Sequence, residues 1–278
     1  MEVISKDIRF PYGEIANIFF LGDFHEGNAN FAEKKLAKAV NIIKSTPNSR
    51  WVGMGDYIDC IINAKDPRFN PAEIAHKYEI RDLKDLPRKQ ADYVFDILSP
   101  ISAECLALLI GNHEQAYIKR HSFDIYDYIS NLFPNDNLKL GYDGYLKLGL
   151  IYQSERDRPN RVVKIGLNHG DGGGGKREGY PVNKIHDLFR WWEGDVFIAG
   201  HLHKLVADQQ QFNDTTISGK HKIIRKWYGM SGCFLETFKE GNNNYFEHKG
   251  KPHSDIGMLK LEIDMTGKKD MLLKRIFL

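Results

Sequence analysis

Short apolar runs, each followed by glycine and a polar residue, constrain the fold of this chain more than any other feature. Examples are Ile15–Leu21, Trp51–Met54 and Leu106–Ile110. Such runs are too short to span a membrane and are typical of strands buried on both faces. Between them lie amphipathic stretches such as Asn30–Lys44, whose apolar residues recur at helical spacing. This alternation predicts an α/β protein.

The second half of the chain is richer in strands than the first. The predicted strands there are Tyr145–Ile151, Val162–Leu167, Val196–Ala199, Ile223–Tyr228, Met258–Ile263 and Leu272–Phe277. The further predicted helices are Pro71–Leu98 with an interruption at Pro87, Phe123–Leu132 and Asn183–Trp192. This order favours two packed sheets with helices outside. Without a linker or repeat, we expect a single domain, 1–278, with a motif-bearing core at about 15–205 and a strand-rich part at 206–278.

Five predicted strands are each followed by Asp, Asn or His beside a glycine. The segments are Gly22-Asp23-Phe24-His25, Gly55-Asp56-Tyr57-Ile58-Asp59, Gly111-Asn112-His113-Glu114, Asn168-His169-Gly170 and Gly200-His201-Leu202-His203. In open α/β sheets such strand-end loops converge on one crevice, so these side chains can meet.

The residue types indicate a metal site. Carboxylates, imidazoles and a carboxamide oxygen suit Mn²⁺, Fe and Zn²⁺, and the lack of cysteine in the five segments argues against structural zinc. Seven candidate ligands fit two ions better than one. Two divalent ions, two aspartates and a bridging hydroxide leave a net positive charge that attracts a phosphoryl group.

In this order, the five segments resemble the calcineurin-like metallophosphoesterase superfamily over about residues 18–205. The resemblance implies a four-layer αββα sandwich, with two mixed β-sheets flanked by helices. It also implies hydrolysis of a phosphate ester by in-line attack of a metal-bridging hydroxide. The expected cofactors are two divalent metal ions, Mn²⁺ in first place and Fe, Zn²⁺ or Ni²⁺ as alternatives.

The resemblance also implies a role for each matching residue. The first metal would be held by Asp23, His25 and His203, the second by Asn112, His169 and His201, and Asp56 would bridge the two. His113 would protonate the leaving oxygen or steady the phosphoryl group. Asp59 would orient and charge His113.

Three departures from the protein Ser/Thr phosphatases disfavour that class. Cys60 and Leu109-Ile110 stand where those enzymes carry arginines, and Glu26 separates His25 from Gly27. A DNA exonuclease or phosphodiesterase remains an alternative. Another is a non-catalytic binding scaffold of the same fold, although the chain has all seven ligands and His113.

A glycine-rich segment follows His169. Gly170–Lys176 fits the first seven positions of a P-loop, but Arg177 replaces the Ser/Thr that would hold Mg²⁺ and Pro181 interrupts the expected helix. The segment is either a lid, a plain flexible loop, or a loop that aims Lys176 and Arg177 at substrate phosphate.

The charge balance and the number of cysteines limit the partners and the cellular compartment that we expect. The formal net charge is only +2, from 39 basic and 37 acidic residues, which gives no indication of a nucleic-acid or membrane partner. The three cysteines form no CxxC pair, and the first ten residues contain no signal-peptide core. We therefore expect a cytoplasmic protein that acts on a phosphate ester, with nucleic acid as the alternative substrate and the oligomeric state left open.

Overall fold

The computed structural model describes residues 1–61, 69–70, 73–79, 82, 85–152, 159–173, 179–237, 253–266 and 270–278. Within these segments the strands are β1 (Glu2–Arg9), β2 (Ile15–Leu21), β3 (Ser49–Gly53), β4 (Cys105–Leu108), β5 (Asp143–Ile151), β6 (Arg161–Asn168), β7 (Val196–Ala199), β8 (Leu205–Thr215), β9 (His221–Ser231), β10 (Gly257–Asp264) and β11 (Met271–Phe277). The α-helices are α1 (Glu33–Ser45), α2 (Leu86–Leu98), α3 (Asn112–Arg120), α4 (Ile125–Leu132) and α5 (Tyr180–Leu188). A short 3-10 helix, Ser99–Glu104, follows α2.

Two mixed sheets form the centre of the molecule. One has six strands in the order β1-β5-β6-β7-β9-β8, and the other has five in the order β11-β10-β2-β3-β4. Strands β2, β3 and β4 run parallel to one another, as do β6, β7 and β9. The predicted architecture of two packed sheets flanked by helices is therefore confirmed.

Strand β2 shows why the apolar runs have no polar alternation. Ile18 and Phe20 belong to the core cluster shared by the two sheets. Phe19 and Leu21 belong to the cluster that includes residues of α1, α2 and α4. Successive side chains point to opposite faces of a strand, and here both faces are buried.

The predicted helix over Pro71–Leu98 is wrong in its first part. The described residues 73–79 contain an isolated bridge between Asn28 and Ile74 and turns, but no α-helix. Pro87 lies in the first turn of α2, where its missing N–H costs no hydrogen bond, so it starts the helix and does not kink it.

Two strands and one α-helix of the described segments escaped the sequence analysis. Strand β1 alternates exposed residues with buried or partly buried ones and is rich in charge, so it has no apolar run. Strand β8 is polar over most of its length. Helix α3 is short and begins inside the Gly-Asn-His-Glu segment, which was expected to be a loop. Within the described segments, no helix combines the length and apolar character needed to cross a membrane.

Candidate metal centre

The donors predicted from the five segments follow strands that end at one edge of the sandwich. Strands β2, β3 and β4 are neighbours in one sheet, and β6 and β7 are neighbours in the other. Backbone hydrogen bonds join the loops that follow them: Asp23 N donates to Gly55 O at 2.8 Å, and Gly200 N donates to His169 O at 3.1 Å. The loops therefore form one continuous surface.

The first group of donors is Asp23, His25 and His203. The Nε2 atoms of His25 and His203 face each other at 3.1 Å, and Asp23 Oδ1 lies 3.4 Å from His203 Nε2. These three side chains present their donor atoms within 4.8 Å of one another. All three are enclosed by the fold, with side-chain exposures of 12% or less.

The second group is Asp56, Asn112, His169 and His201. Nε2 of His169 lies 3.3 Å from Asp56 Oδ2 and 3.1 Å from Asn112 Oδ1, and Nδ1 of His201 lies 2.8 Å from Asn112 Oδ1. Asp56 also lies between the groups, because its Oδ2 is 3.8 Å from His25 Nε2. The structure thus brings all seven predicted ligands together.

This donor set fits a pair of divalent cations. Donors on adjacent corners around a cation at roughly 2.1 Å are about 3 Å apart. The shorter separations within the groups are 2.8 to 3.4 Å, and Asp23 Oδ1 lies 4.0 Å from His25 Nε2. The side chains present mainly acceptor atoms to one another: carboxylate oxygens, an amide oxygen and imidazole nitrogens. Cations between them would satisfy these acceptors at once.

Electrostatics favour ionised carboxylates in the centre. Burial raises the pKa of Asp56, but the nearby imidazoles of His169 and His113 lower it more, so it lies well below its usual value. Burial likewise raises the pKa of Asp59, and hydrogen bonding to His113 and His25 lowers it to about 2. The centre is therefore negatively charged until cations or protons enter it.

The histidines of the second group are perturbed in opposite directions. Burial lowers the pKa of His169, but the charge of Asp56 outweighs it and raises the value to about 9. Burial, followed by the charge of His169, lowers the pKa of His201 to about 4. A proton on His169 thus occupies a place that a cation would take, since a ligating nitrogen must be unprotonated.

Five predicted ligands have backbone angles that sequence alone did not reveal. The φ angles of Asp23, His25, Asp56, His201 and His203 are 52°, 51°, 50°, 68° and 54°. Residues other than glycine rarely adopt this left-handed region, at a cost of about 1–3 kcal/mol each, and such strain is concentrated at functional sites. The sharp turns aim successive donors from a short segment into one space.

Position 111 requires glycine because a larger residue would collide with the loop after β3. A Cβ atom there would lie 2.0 Å from Asp56 Oδ1 and 2.2 Å from Asp56 N. The glycine therefore lets the loop after β4 approach the loop after β3, and His113 N donates to Asp56 Oδ1 at 2.9 Å across this contact.

Glu114 is a residue whose role the sequence analysis missed. It is fully buried. Its Oε1 accepts from the N–H groups of Tyr57 (2.7 Å) and Ile58 (3.2 Å). Its Oε2 accepts from Asp56 N (3.1 Å) and Gly111 N (3.0 Å). One carboxylate thus joins two donor loops by hydrogen bonds. The sequence signal for this role would have been a glutamate in the first turn of a helix.

His113 and Asp59 lie beside the first donor group. His113 Nδ1 donates to the backbone carbonyl of Asp59 at 2.6 Å, and the Asp59 carboxylate is 3.4 Å from the same nitrogen. The same carboxylate is 3.7 Å from His25 Nδ1. Asp59 therefore contacts both rings, and it holds His113 through its backbone as well as its side chain.

Lys176 and Arg177, predicted to contact substrate phosphate, lie outside the described residues. A basic run, Lys220–Lys226, lies in the hairpin of β8 and β9. It precedes the residues of β9 that pair with β7, whereas the donors follow β7. The run therefore lies toward the end of the sheet opposite the donors.

No family model and no curated protein sequence matches this chain. Among solved structures, Vps29 from Entamoeba histolytica is 13% identical, with 94% of this chain and 99% of that chain covered and a TM-score of 0.40. GAP50, the anchor in the inner membrane complex of Plasmodium, is 12% identical, with coverages of 95% and 84% and a TM-score of 0.48. The NAD nucleotidase of Haemophilus influenzae is 10% identical, with coverages of 95% and 50% and a TM-score of 0.41.

Two packed mixed sheets with flanking helices, and five donor loops at one edge, are what the sequence resemblance implied. The predicted sandwich of two mixed sheets flanked by helices is confirmed. Within that fold, clusters of Asp and His side chains are placed to hold metal ions.

Proposed function

We propose that this chain is a phosphoesterase that depends on two divalent metal ions. The observation that carries the proposal is the convergence of seven donor side chains on one site with His113 beside them. Asp23, His25 and His203 would hold one ion, Asn112, His169 and His201 the other, and Asp56 would contact both. When bound, the two ions would lower the pKa of water and neutralise charge on a phosphoryl group.

The protein's own contribution begins with preorganisation. The Glu114 carboxylate and the backbone bonds between loops hold Asp56 and Asn112 in place before substrate arrives. Preorganised charges need no rearrangement during the reaction, which is a large source of catalysis. Burial of Asp23, His25, Asp56 and His169 also keeps bulk water away from these donors.

In this proposal, His113 would act as the general acid. Its Nδ1 proton is donated to the Asp59 carbonyl, so Nε2 would be the nitrogen that meets a leaving oxygen. In the protonated ring, Nε2–H would donate a proton to that oxygen as the ester bond breaks. Asp59 would favour the protonated ring, since its carboxylate is 3.4 Å from Nδ1.

A metal-reconstitution assay tests the proposal. Chelator-treated protein is reloaded with Mn²⁺, Fe²⁺, Zn²⁺ or Ni²⁺ and assayed with p-nitrophenyl phosphate, bis(p-nitrophenyl) phosphate, a nucleotide, and single- and double-stranded DNA. We expect hydrolysis of a phosphate ester that requires metal. Metal binding without hydrolysis of any substrate would instead favour the non-catalytic scaffold, and preference for DNA would favour the nuclease.

The matched variants are Asp56→Asn and Asp208→Asn. Asp56→Asn removes the charge shared by the two donor groups and should abolish turnover. Asp208 also contacts a histidine, His186, at 2.8 Å, but this pair links α5 to β8 away from the donors. Asp208→Asn should retain activity, and normal turnover by Asp56→Asn would refute the assignment.

A further inference from the structure

Glu26 is a buried charged residue that the proposed mechanism does not use. It directly follows the metal donor His25, and its exposed fraction is 0%. In the sequence it stands out only because it separates His25 from Gly27. Burial of a carboxylate without partners is costly, so the groups that contact Glu26 show what keeps it inside the fold.

The backbone of Glu26 lies between two donor loops. Its N–H group donates to Tyr57 O at 3.2 Å, and its carbonyl accepts from Asp59 N at 2.7 Å. The carbonyl of the preceding residue, His25, accepts from Asn28 N at 3.0 Å. A displacement of Glu26 would therefore move His25 through the chain and Asp59 through a hydrogen bond.

The side chain of Glu26 is held by the segment 73–79. Tyr78 OH lies 2.9 Å from each of the two carboxylate oxygens and donates to the carboxylate. Lys77 Nζ lies 2.7 Å from Oε1. Burial raises the pKa of the Glu26 carboxyl group, and the contacts with Lys77 and Tyr78 limit the rise. The three side chains form a charge-assisted hydrogen-bond cluster next to the donor loop.

Lys77 is itself held between two helices. Its Nζ lies 3.2 Å from the ring centroid of Tyr93 in α2, a cation–π contact, and 4.0 Å from Glu33 Oε2 in α1. The backbone of the same segment adds a hydrogen bond from Ala75 N to Gly27 O at 2.8 Å. These contacts join the loop after β2 to both helices.

We propose that Glu26 is a positioning residue of the metal centre. Its carboxylate, held by Lys77 and Tyr78, keeps the loop after β2 in one place. That loop in turn holds His25 for the cation and Asp59 for its contact with the catalytic acid. The inference rests on the proposed function and adds a residue that acts only through its neighbours.

Glu26→Gln keeps the size of the side chain but removes its charge, so Lys77 loses its ion pair. Asp59 Oδ1 lies 3.7 Å from His25 Nδ1 and is the outer neighbour of that ring. Disturbing such a neighbour typically weakens metal affinity about 10- to 100-fold. We therefore expect one of the two Mn²⁺ sites to weaken by about 10-fold or more in Glu26→Gln.

The same variant should lose activity even when Mn²⁺ is saturating. A catalytic group displaced by about 1 Å can cost about 10²-fold in rate, so kcat for an alkyl phosphate should fall roughly 10-fold or more. The loss should be smaller for a p-nitrophenyl ester, because its leaving group does not need the acid that Asp59 supports. A residue that only stabilised the fold would lower stability without this dependence on the leaving group.

The test uses calorimetric titration of the metal-free full-length chain with Mn²⁺, kcat and KM on both esters, and urea unfolding of each variant. The matched control is Asp82→Asn. Asp82 also joins the segment 73–79 to α2, because it accepts from Glu79 N at 2.8 Å and pairs with Lys89. These contacts do not involve the loop after β2. Tyr78→Phe is the milder variant, since it keeps the ring and removes one donor to the carboxylate.

The expected result is a weakened Mn²⁺ site with a leaving-group-dependent loss of kcat in Glu26→Gln, a smaller loss of the same kind in Tyr78→Phe, and wild-type values in Asp82→Asn. Wild-type affinity and kcat in folded Glu26→Gln, or equal losses in Asp82→Asn, would overturn the inference and leave the proposed function standing. If Glu26→Gln does not fold, Tyr78→Phe decides by the same criteria. Failure of the wild type to bind Mn²⁺ would overturn both.

Discussion

Replacing Glu114 by glutamine should destabilise the protein strongly. Its two carboxylate oxygens accept four backbone N–H groups, two each, from residues 56, 57, 58 and 111. Glutamine has the same shape, but its NH₂ group cannot accept a hydrogen bond. Two of the four buried N–H groups would therefore face a donor in place of an acceptor.

The size of the loss follows from this count. Burial, followed by the charge of Asp56, raises the pKa of Glu114 to about 7, so the comparison is made above that pH, where the carboxylate is ionised. There, a hydrogen bond to a charged group contributes about 1.5–3 kcal/mol, so losing two costs roughly 3–6 kcal/mol. Native proteins are stable by about 5–15 kcal/mol. Glu114→Gln should thus fold without denaturant but unfold at a much lower urea concentration.

Urea unfolding of the metal-free protein, followed by tryptophan fluorescence, measures the difference. The control is Glu262→Gln, since Glu262 pairs at 2.6 Å with Lys260 and with Lys274 on partly exposed positions of β10 and β11. Such surface pairs contribute about 0–1 kcal/mol each. A loss below about 1 kcal/mol for Glu114→Gln would refute the reasoning that its carboxylate holds the loops.

Three further predictions concern the acid, the loop packing and pH. His113→Gln should lower kcat for an alkyl phosphate by a factor of about 10²–10⁴. The loss of kcat should be much smaller for a p-nitrophenyl ester, because its leaving group needs no proton. Equal losses on both substrates would contradict the acid role. Gly111→Ala should displace Asp56 and weaken Mn²⁺ binding in calorimetry, whereas Gly179→Ala, with no atom within 4 Å of the added Cβ, should not. Burial raises the pKa of Glu262, but its two lysine partners lower it below the usual value. The difference in stability between the wild type and Glu262→Gln should therefore be present at neutral pH and shrink as the pH falls through the pKa of the folded protein. Urea unfolding of both proteins at neutral pH and across the acidic range tests this.

The sequence predicted those elements best whose apolar runs are buried on both faces. Strands β2 and β7 have the predicted bounds, Ile15–Leu21 and Val196–Ala199. Strand β1 was missed because it packs at the sheet edge, where its charged side chains reach solvent. The helix predicted over Pro71–Leu98 is confirmed as α2 over Leu86–Leu98. Its first part was wrong because an amphipathic pattern alone does not show whether another part of the protein covers its apolar face.

The donor side chains could be named from the sequence because each follows a strand, and strands fix where their ends lie. The outer partners of the histidines could not. Met54 and Gly172 act through backbone carbonyls, which every residue has, so no residue type marks them.

The amino-acid sequence by itself determined the layered α/β architecture and the chemical identity of the donors, because burial periodicity and side-chain type are local properties. Only the tertiary structure decided which nitrogen of each ring faces the centre, which donors turn through left-handed backbone, and how Glu114 joins two loops. Those features depend on contacts between residues far apart in the chain. The physical reason is that a buried polar group must find a partner wherever the fold provides one, and that partner is set by packing and not by sequence distance.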